Sequence, residues 1–294
     1  MKSFKKITQI SLISTTILIT SGCVSKNELK EPVQNYLKTN YGFTENFQIL
    51  AAENNYLVDD TYETYLRIDK PYQAYPRLAF ERQDHNFKKD TFKILQSESE
   101  NFYFEMFKGA YIEQNPKVID LTKRLIKKYG LVKYSDKIEK DKIETKFMFP
   151  YGNIEINILN SKVLIEDFKK TQKIDTNSLL RTVRPSDPRS SNSRFVGVVN
   201  FLFEFDLYKN KHSIPKAKDL ILDFQKSGVL TQGIYNIDMS VIDSSDDFLG
   251  WENNNVALFE VDENGRYTII ATPKYDDLED SYYYGDYAAK KIEE

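Results

Sequence analysis

The chain has 294 residues, of which 40% are hydrophobic, 29% charged and 14% aromatic, and its formal net charge is −3. That balance fits a folded globular protein and excludes a collagen or a mainly disordered chain. Mean hydropathy is −0.54, and no run reaches the ~20 apolar residues of an ordinary membrane span. One Cys rules out an internal disulfide, and two His cannot complete a zinc cage of about four His/Cys ligands.

The amino terminus opens with Lys2, Lys5 and Lys6, continues through a weakly apolar stretch from Ile7 to Ile19, and leaves it at Thr20-Ser21-Gly22-Cys23. A positive start, a short apolar run and small residues at the exit have the form of a secretory signal. The small residues before Cys23 resemble the lipobox of bacterial lipoproteins, with Thr20 where that family usually carries an aliphatic residue. The resemblance covers the first 23 residues. It implies cleavage between Gly22 and Cys23, a diacylglycerol on the Cys23 thiol, and retention at a membrane through that lipid. Stable anchoring takes two acyl chains, such as palmitate, because one alone gives marginal, reversible binding. The Lys-, Ile-, Asn- and Tyr-rich composition is similar to that of low-GC Gram-positive proteins, which puts the expected address at the extracytoplasmic face of the cell membrane. Removing residues 1–22 takes away three Lys, leaving 38 cations against 44 anions and a charge of −6. A body that acidic makes nucleic acid a poor partner.

Residues 23–28 read as the lipidated Cys and a short polar tether. The spacing of Val33, Tyr36, Leu37 and Tyr41 predicts an amphipathic helix from Pro32 to Gly42. Tyr62, Thr64, Leu66 and Ile68 then alternate with polar neighbours, the period of a strand with one buried face. A second helix is predicted from Pro116 to Gly130, with Asn115 as its N-cap and Val118, Leu121, Leu125 and Ile126 along one side. Pro150-Tyr151-Gly152-Asn153 reads as a turn before a strand carrying Ile154, Ile156 and Ile158. Phe201, Phe203 and Phe205 mark another strand, and Pro215 to Gly228 a third helix containing Leu220, Ile221 and Phe224. Asn264-Gly265 gives a two-residue hairpin signal. All three helices open with Pro and close with Gly, as expected of a first turn and a left-handed cap.

These elements predict an α+β fold of antiparallel sheets and amphipathic helices, with either a helix-then-sheet module used more than once or unrelated helices that each end in Gly. The Pro- and Ser-rich segment 182–193 is the expected linker between an N-terminal α+β module (29–181) and a C-terminal one (194–273). Residues 274–294, with Tyr282, Tyr283 and Tyr284 among acids, read as a solvated tail.

Signals for catalysis are sparse. His85 and His212 lie in polar, Lys-rich surroundings, and neither a nucleophile elbow nor a Gly-rich phosphate loop occurs. Acidic runs at Asp59-Asp60 and at Asp243, Asp246 and Asp247 lack the ligand order of a calcium loop. No cofactor or metal is expected. Arg181, Arg184, Arg189 and Arg194 crowd into 14 residues of a chain whose other cations are mostly Lys. Guanidinium forks suit bidentate contacts to phosphate or carboxylate, so this cluster is the candidate anion-binding patch, facing an anionic envelope polymer or an acidic protein partner, against the plainer reading of a solvated interdomain linker. Tyr72 and Tyr75 are expected to pack against the sheet, with glycan or peptide contact as the alternative for them and for the Tyr282–Tyr284 run. The expected role is a non-enzymatic, lipid-anchored envelope binding protein. The alternatives are a transporter's solute-binding lipoprotein and a carboxylate-based envelope hydrolase.

Overall fold

The computed structural model describes residues 25–54, 61–82, 92–94, 101–134, 138–140, 147–186, 196–242, 244 and 252–271. Gly22 and Cys23 lie outside these residues, as do His85, Arg189, Arg194, the Asp59-Asp60 pair and the 274–294 segment.

The first helix, α1 (Lys26–Tyr41), starts six residues before Pro32. Ser25 caps it: the Ser25 side chain accepts from the Glu28 N–H at 3.3 Å while the Glu28 carboxylate accepts from the Ser25 N–H at 2.7 Å. This reciprocal box satisfies two otherwise orphaned donors, so helix occupies much of the segment expected to be tether. Leu29, Val33, Leu37 and Tyr41 are buried along one face, and Gly42 ends the helix at φ 63°.

Four strands follow, β1 (Phe47–Asn54), β2 (Thr61–Ile68), β3 (Arg77–Arg82) and β4 (Phe92–Ile94), forming an antiparallel sheet in sequential order. Thr64, Leu66 and Ile68 of β2 are buried, the face that the alternation predicts. Next come α2 (Asn101–Gln114), α3 (Pro116–Tyr129) and a two-stranded ribbon of β5 (Glu139–Lys140) and β6 (Phe147–Met148). The predicted turn at 150–153 leads into β7 (Ile154–Ile156), followed by α4 (Lys162–Thr171) and α5 (Thr176–Leu179).

The second sheet, in order β11-β10-β9-β8-β7, combines β7 with β8 (Val199–Asp206), β9 (Gly233–Ile242), β10 (Glu252–Val261) and β11 (Tyr267–Ala271). It is mixed, not wholly antiparallel. Helix α6 (Ala217–Ser227) returns the chain so that β8 and β9 run parallel, because a parallel neighbour needs a crossover connection. The molecule is α+β as expected, with one such unit inside its larger sheet. The hairpin loop is longer than two residues: Val261 pairs with Tyr267, and the Gly265 N–H donates to the Asp262 carbonyl with Gly265 at φ 73°. The Asp262 carboxylate holds the loop by accepting from the N–H groups of Asn264 and Arg266, both at 2.8 Å.

Sheet pairing crosses the expected module boundary. β7 precedes segment 182–193 and β8 follows it, yet Ile154 pairs with Phe201 and Ile156 with Val199. Across the same boundary, Asp223 of α6 accepts from Lys128 Nζ at 2.6 Å and from the Tyr129 hydroxyl at 2.7 Å. Buried side chains from Leu29 to Val261 form one apolar cluster. The described residues therefore share a single core where two modules were expected.

Helix α2 is the hub of that core. Phe102, Tyr103, Met106, Phe107, Gly109, Ala110 and Tyr111 are buried over most of its circumference, and it packs on β3 of the first sheet and on β7 of the second. With buried residues spread this widely the helix carries no single narrow stripe, which explains why periodicity alone does not announce it.

Candidate functional site

Two concavities adjoin the loop from Asp69 to Pro76 where it crosses α2. Gly109 makes the crossing possible. A Cβ there would lie 2.3 Å from the Gln73 carbonyl oxygen, closer than any real contact, so a side chain at 109 would push the loop away.

The broader, shallower groove, of about 560 Å³, is bounded by Tyr72, Gln114 and residues 171–175. Its Tyr72 and Gln114 side chains are occupied internally. The Tyr72 hydroxyl accepts from the Ile174 N–H at 2.9 Å and donates to the Ile174 carbonyl at 3.2 Å. The Gln114 amide donates to the Ile174 carbonyl at 2.7 Å and accepts from the Thr176 N–H and hydroxyl at 3.0 and 2.8 Å. Tyr72 thus holds the loop down and has little hydrogen-bonding capacity left for a ligand.

The other concavity is a cleft of about 220 Å³ between the same loop, α2 and the 150–153 turn. Tyr75 and Tyr151 form one wall, and Glu105, Lys108 and Glu113 of α2 the other. Tyr75 is 8% exposed and stacks on Phe149 at 5.5 Å between centroids. Phe149 stacks in turn on Tyr65, also at 5.5 Å. Burial pushes the Tyr75 phenol up, an effect opposed by the nearby Arg67 guanidinium, so at neutral pH it keeps its proton and can donate as well as accept. Tyr151 holds φ 59°, a left-handed backbone rarely taken by an aromatic residue and costing about 1–3 kcal/mol. Lys108 Nζ pairs with Glu105 at 2.6 Å, with the two side chains 14% and 20% exposed, while Glu113 is exposed. The cleft combines aromatic walls with two carboxylates, an ammonium and a phenol.

The two described arginines of the predicted patch stand elsewhere. Arg181 and Arg184 are exposed on either side of buried Val183, and one Arg184 nitrogen donates to the Val183 carbonyl at 2.9 Å. His212 is exposed and packs near the α3 cap, where a Cβ on Gly130 would meet its ring at 2.7 Å. Of the 243–247 run, Ser244 is described, and its N–H donates to Asp206 at 3.3 Å. Among the described residues no three His, Cys, Asp or Glu gather as metal ligands.

A polar row lies along β9, where Asn236, Asp238 and Ser240 are buried beside Asn200 of β8. The Asn236 amide is fully buried, with no hydrogen-bond partner among the described residues. Glu204 of β8 accepts from the Tyr134 hydroxyl, and burial raises its carboxyl above the ordinary range.

Sequence reading named Tyr75 but favoured packing for it, and missed Gln73, Glu105, Lys108, Glu113 and Tyr151. The available signal was Glu105 and Lys108, a charged i,i+3 pair in an otherwise aromatic stretch that also contains Gly109.

The chain matches no protein-family model and no curated protein. Among solved structures it is similar to a DUF5037 family protein from Ruminococcus gnavus, with 10% identity, a TM-score of 0.37 and coverage of 85% of this chain and 96% of that one. No described helix is long and apolar enough to cross a membrane.

Proposed function

We propose that this chain is a lipid-anchored envelope protein on the extracytoplasmic face of the cell membrane, with a non-enzymatic binding role. One observation carries the reading. Ser25 caps α1, and Leu29 is already 0% exposed, so the folded body starts two residues after the Cys that the lipobox-like motif marks as the first mature residue. Cleavage before Cys23 would leave the capping box and the core intact. Confinement by a lipid raises effective concentration toward neighbouring envelope components, and the tyrosine-walled cleft supplies the body with a preformed contact site. The exposed Arg181 and Arg184 guanidiniums offer contacts to an anionic envelope polymer.

Metabolic labelling with a palmitate analogue tests the anchor. Label is expected on the wild-type chain and is lost in Cys23→Ala, which shifts from the membrane fraction to the soluble one. Label or membrane retention that survives Cys23→Ala overturns the reading.

A further inference from the structure

We propose that the cleft between α2 and the 150–153 turn binds one neutral pyranose ring of a glycan. This rests on the binding role proposed above and names its ligand. Size comes first: at about 220 Å³ the cleft falls below the ~300 Å³ lower end of ordinary small-molecule sites, so it holds one ring and not an extended chain.

The lining then selects the ring. A pyranose has apolar C–H faces and a rim of hydroxyls that both donate and accept. Tyr75 and Tyr151 offer rings for those faces, while Glu105, Lys108 and Glu113 offer carboxylate acceptors and an ammonium donor for the rim. Two carboxylates against one ammonium disfavour an acidic sugar. A cation is the competing guest that these aromatic and acidic walls would attract, and tetramethylammonium serves as its probe below. A wholly apolar guest would bury the Glu105–Lys108 pair with nothing to replace its lost water.

Preorganisation supports the same reading. Tyr75 is fixed by its stack on Phe149, and Phe149 by its stack on Tyr65, so little side-chain freedom remains to be lost on binding. The left-handed Tyr151 backbone sets a strained residue at the cleft, as expected where a contact site and not turn propensity dictates the conformation.

The test is saturation-transfer NMR on the full chain in a sugar-free detergent, with glucose, galactose, mannose and N-acetylglucosamine as probes. At least one is expected to bind with a dissociation constant on the order of 1 mM, the range open to a ligand this small. Tyr151→Asn removes the ring while keeping a residue that tolerates left-handed backbone, and Glu113→Gln changes an exposed acceptor. Each should weaken binding about tenfold, whereas Tyr208→Asn, at a 64% exposed position outside the cleft, should leave it unchanged. Absence of binding by all four sugars overturns the proposal, as does sugar binding indifferent to Tyr151→Asn and Glu113→Gln. Tighter binding of tetramethylammonium or of a short peptide also overturns it. Cys23→Ala protein should bind the sugar as wild type does, so failure of the anchor and failure of the sugar site give separate results.

Discussion

Tyr151 and Gly152 show how a single residue can depart from its local preference. The turn at 150–153 is legible from Pro150 and Gly152, yet the left-handed position falls on the tyrosine, so tertiary context overrides the cheaper choice of glycine. Glu204 is a second case. Phe201, Phe203 and Phe205 identify the apolar face of β8 from sequence, but alternation says nothing of what covers the opposite face. There Glu204 is largely desolvated, and the Tyr134 hydrogen bond only partly offsets the effect. An acid whose folded pKa lies above its unfolded value holds its proton longer in the native state, so stability falls as pH rises from the ordinary carboxylate range through the raised folded value. Glu204→Gln keeps an acceptor for Tyr134 and removes that penalty. The variant should match wild type in thermal denaturation near about pH 3 and melt higher at about pH 7. Equal melting at both pH values would contradict the desolvation argument.

Among the elements, Pro opens only α3 of the three predicted helices, since Pro32 lies inside α1 and Pro215 precedes the α6 N-cap. All three end as expected, with Gly42, Gly130 and Gly228 at φ between 58° and 66°. Two of them separate backbone cost from crowding. A Cβ on Gly228 meets nothing within 4 Å, whereas one on Gly42 lies 2.5 Å from the Lys169 carbonyl oxygen of α4. Gly228→Ala should therefore cost the left-handed penalty alone, about 1–2 kcal/mol, and Gly42→Ala clearly more, as read by denaturant midpoints. Equal costs would mean that α1 and α4 separate freely. Periodicity revealed α3 and α6 because each lies on the surface with one apolar stripe. It failed for α2, whose aromatic residues point in every direction, and with α2 went most of the cleft. It also missed β9, whose ten residues are all buried and so show no alternation, and with it the parallel β8–β9 pair, because partner choice is set by long-range packing that a local pattern does not encode.

Across the whole molecule, strand pairing, helix contacts and buried apolar side chains all bridge segment 182–193. Proline and serine there signal a surface connection, which sequence alone does not distinguish from a domain boundary. A shared core predicts cooperative unfolding: far-UV and near-UV circular dichroism should superimpose on one thermal transition. Two separated transitions would restore the halves as independent units. The capping box at Ser25 has a consequence for geometry outside the molecule. Two residues span at most about 7 Å, while a body of this length has a radius of gyration of about 18 Å. Once acylated, such a particle has no slack with which to swing. Under the proposed anchor it would ride flush on the lipid headgroups with the start of α1 facing down, and would meet the innermost layer of the envelope rather than search outward on a leash.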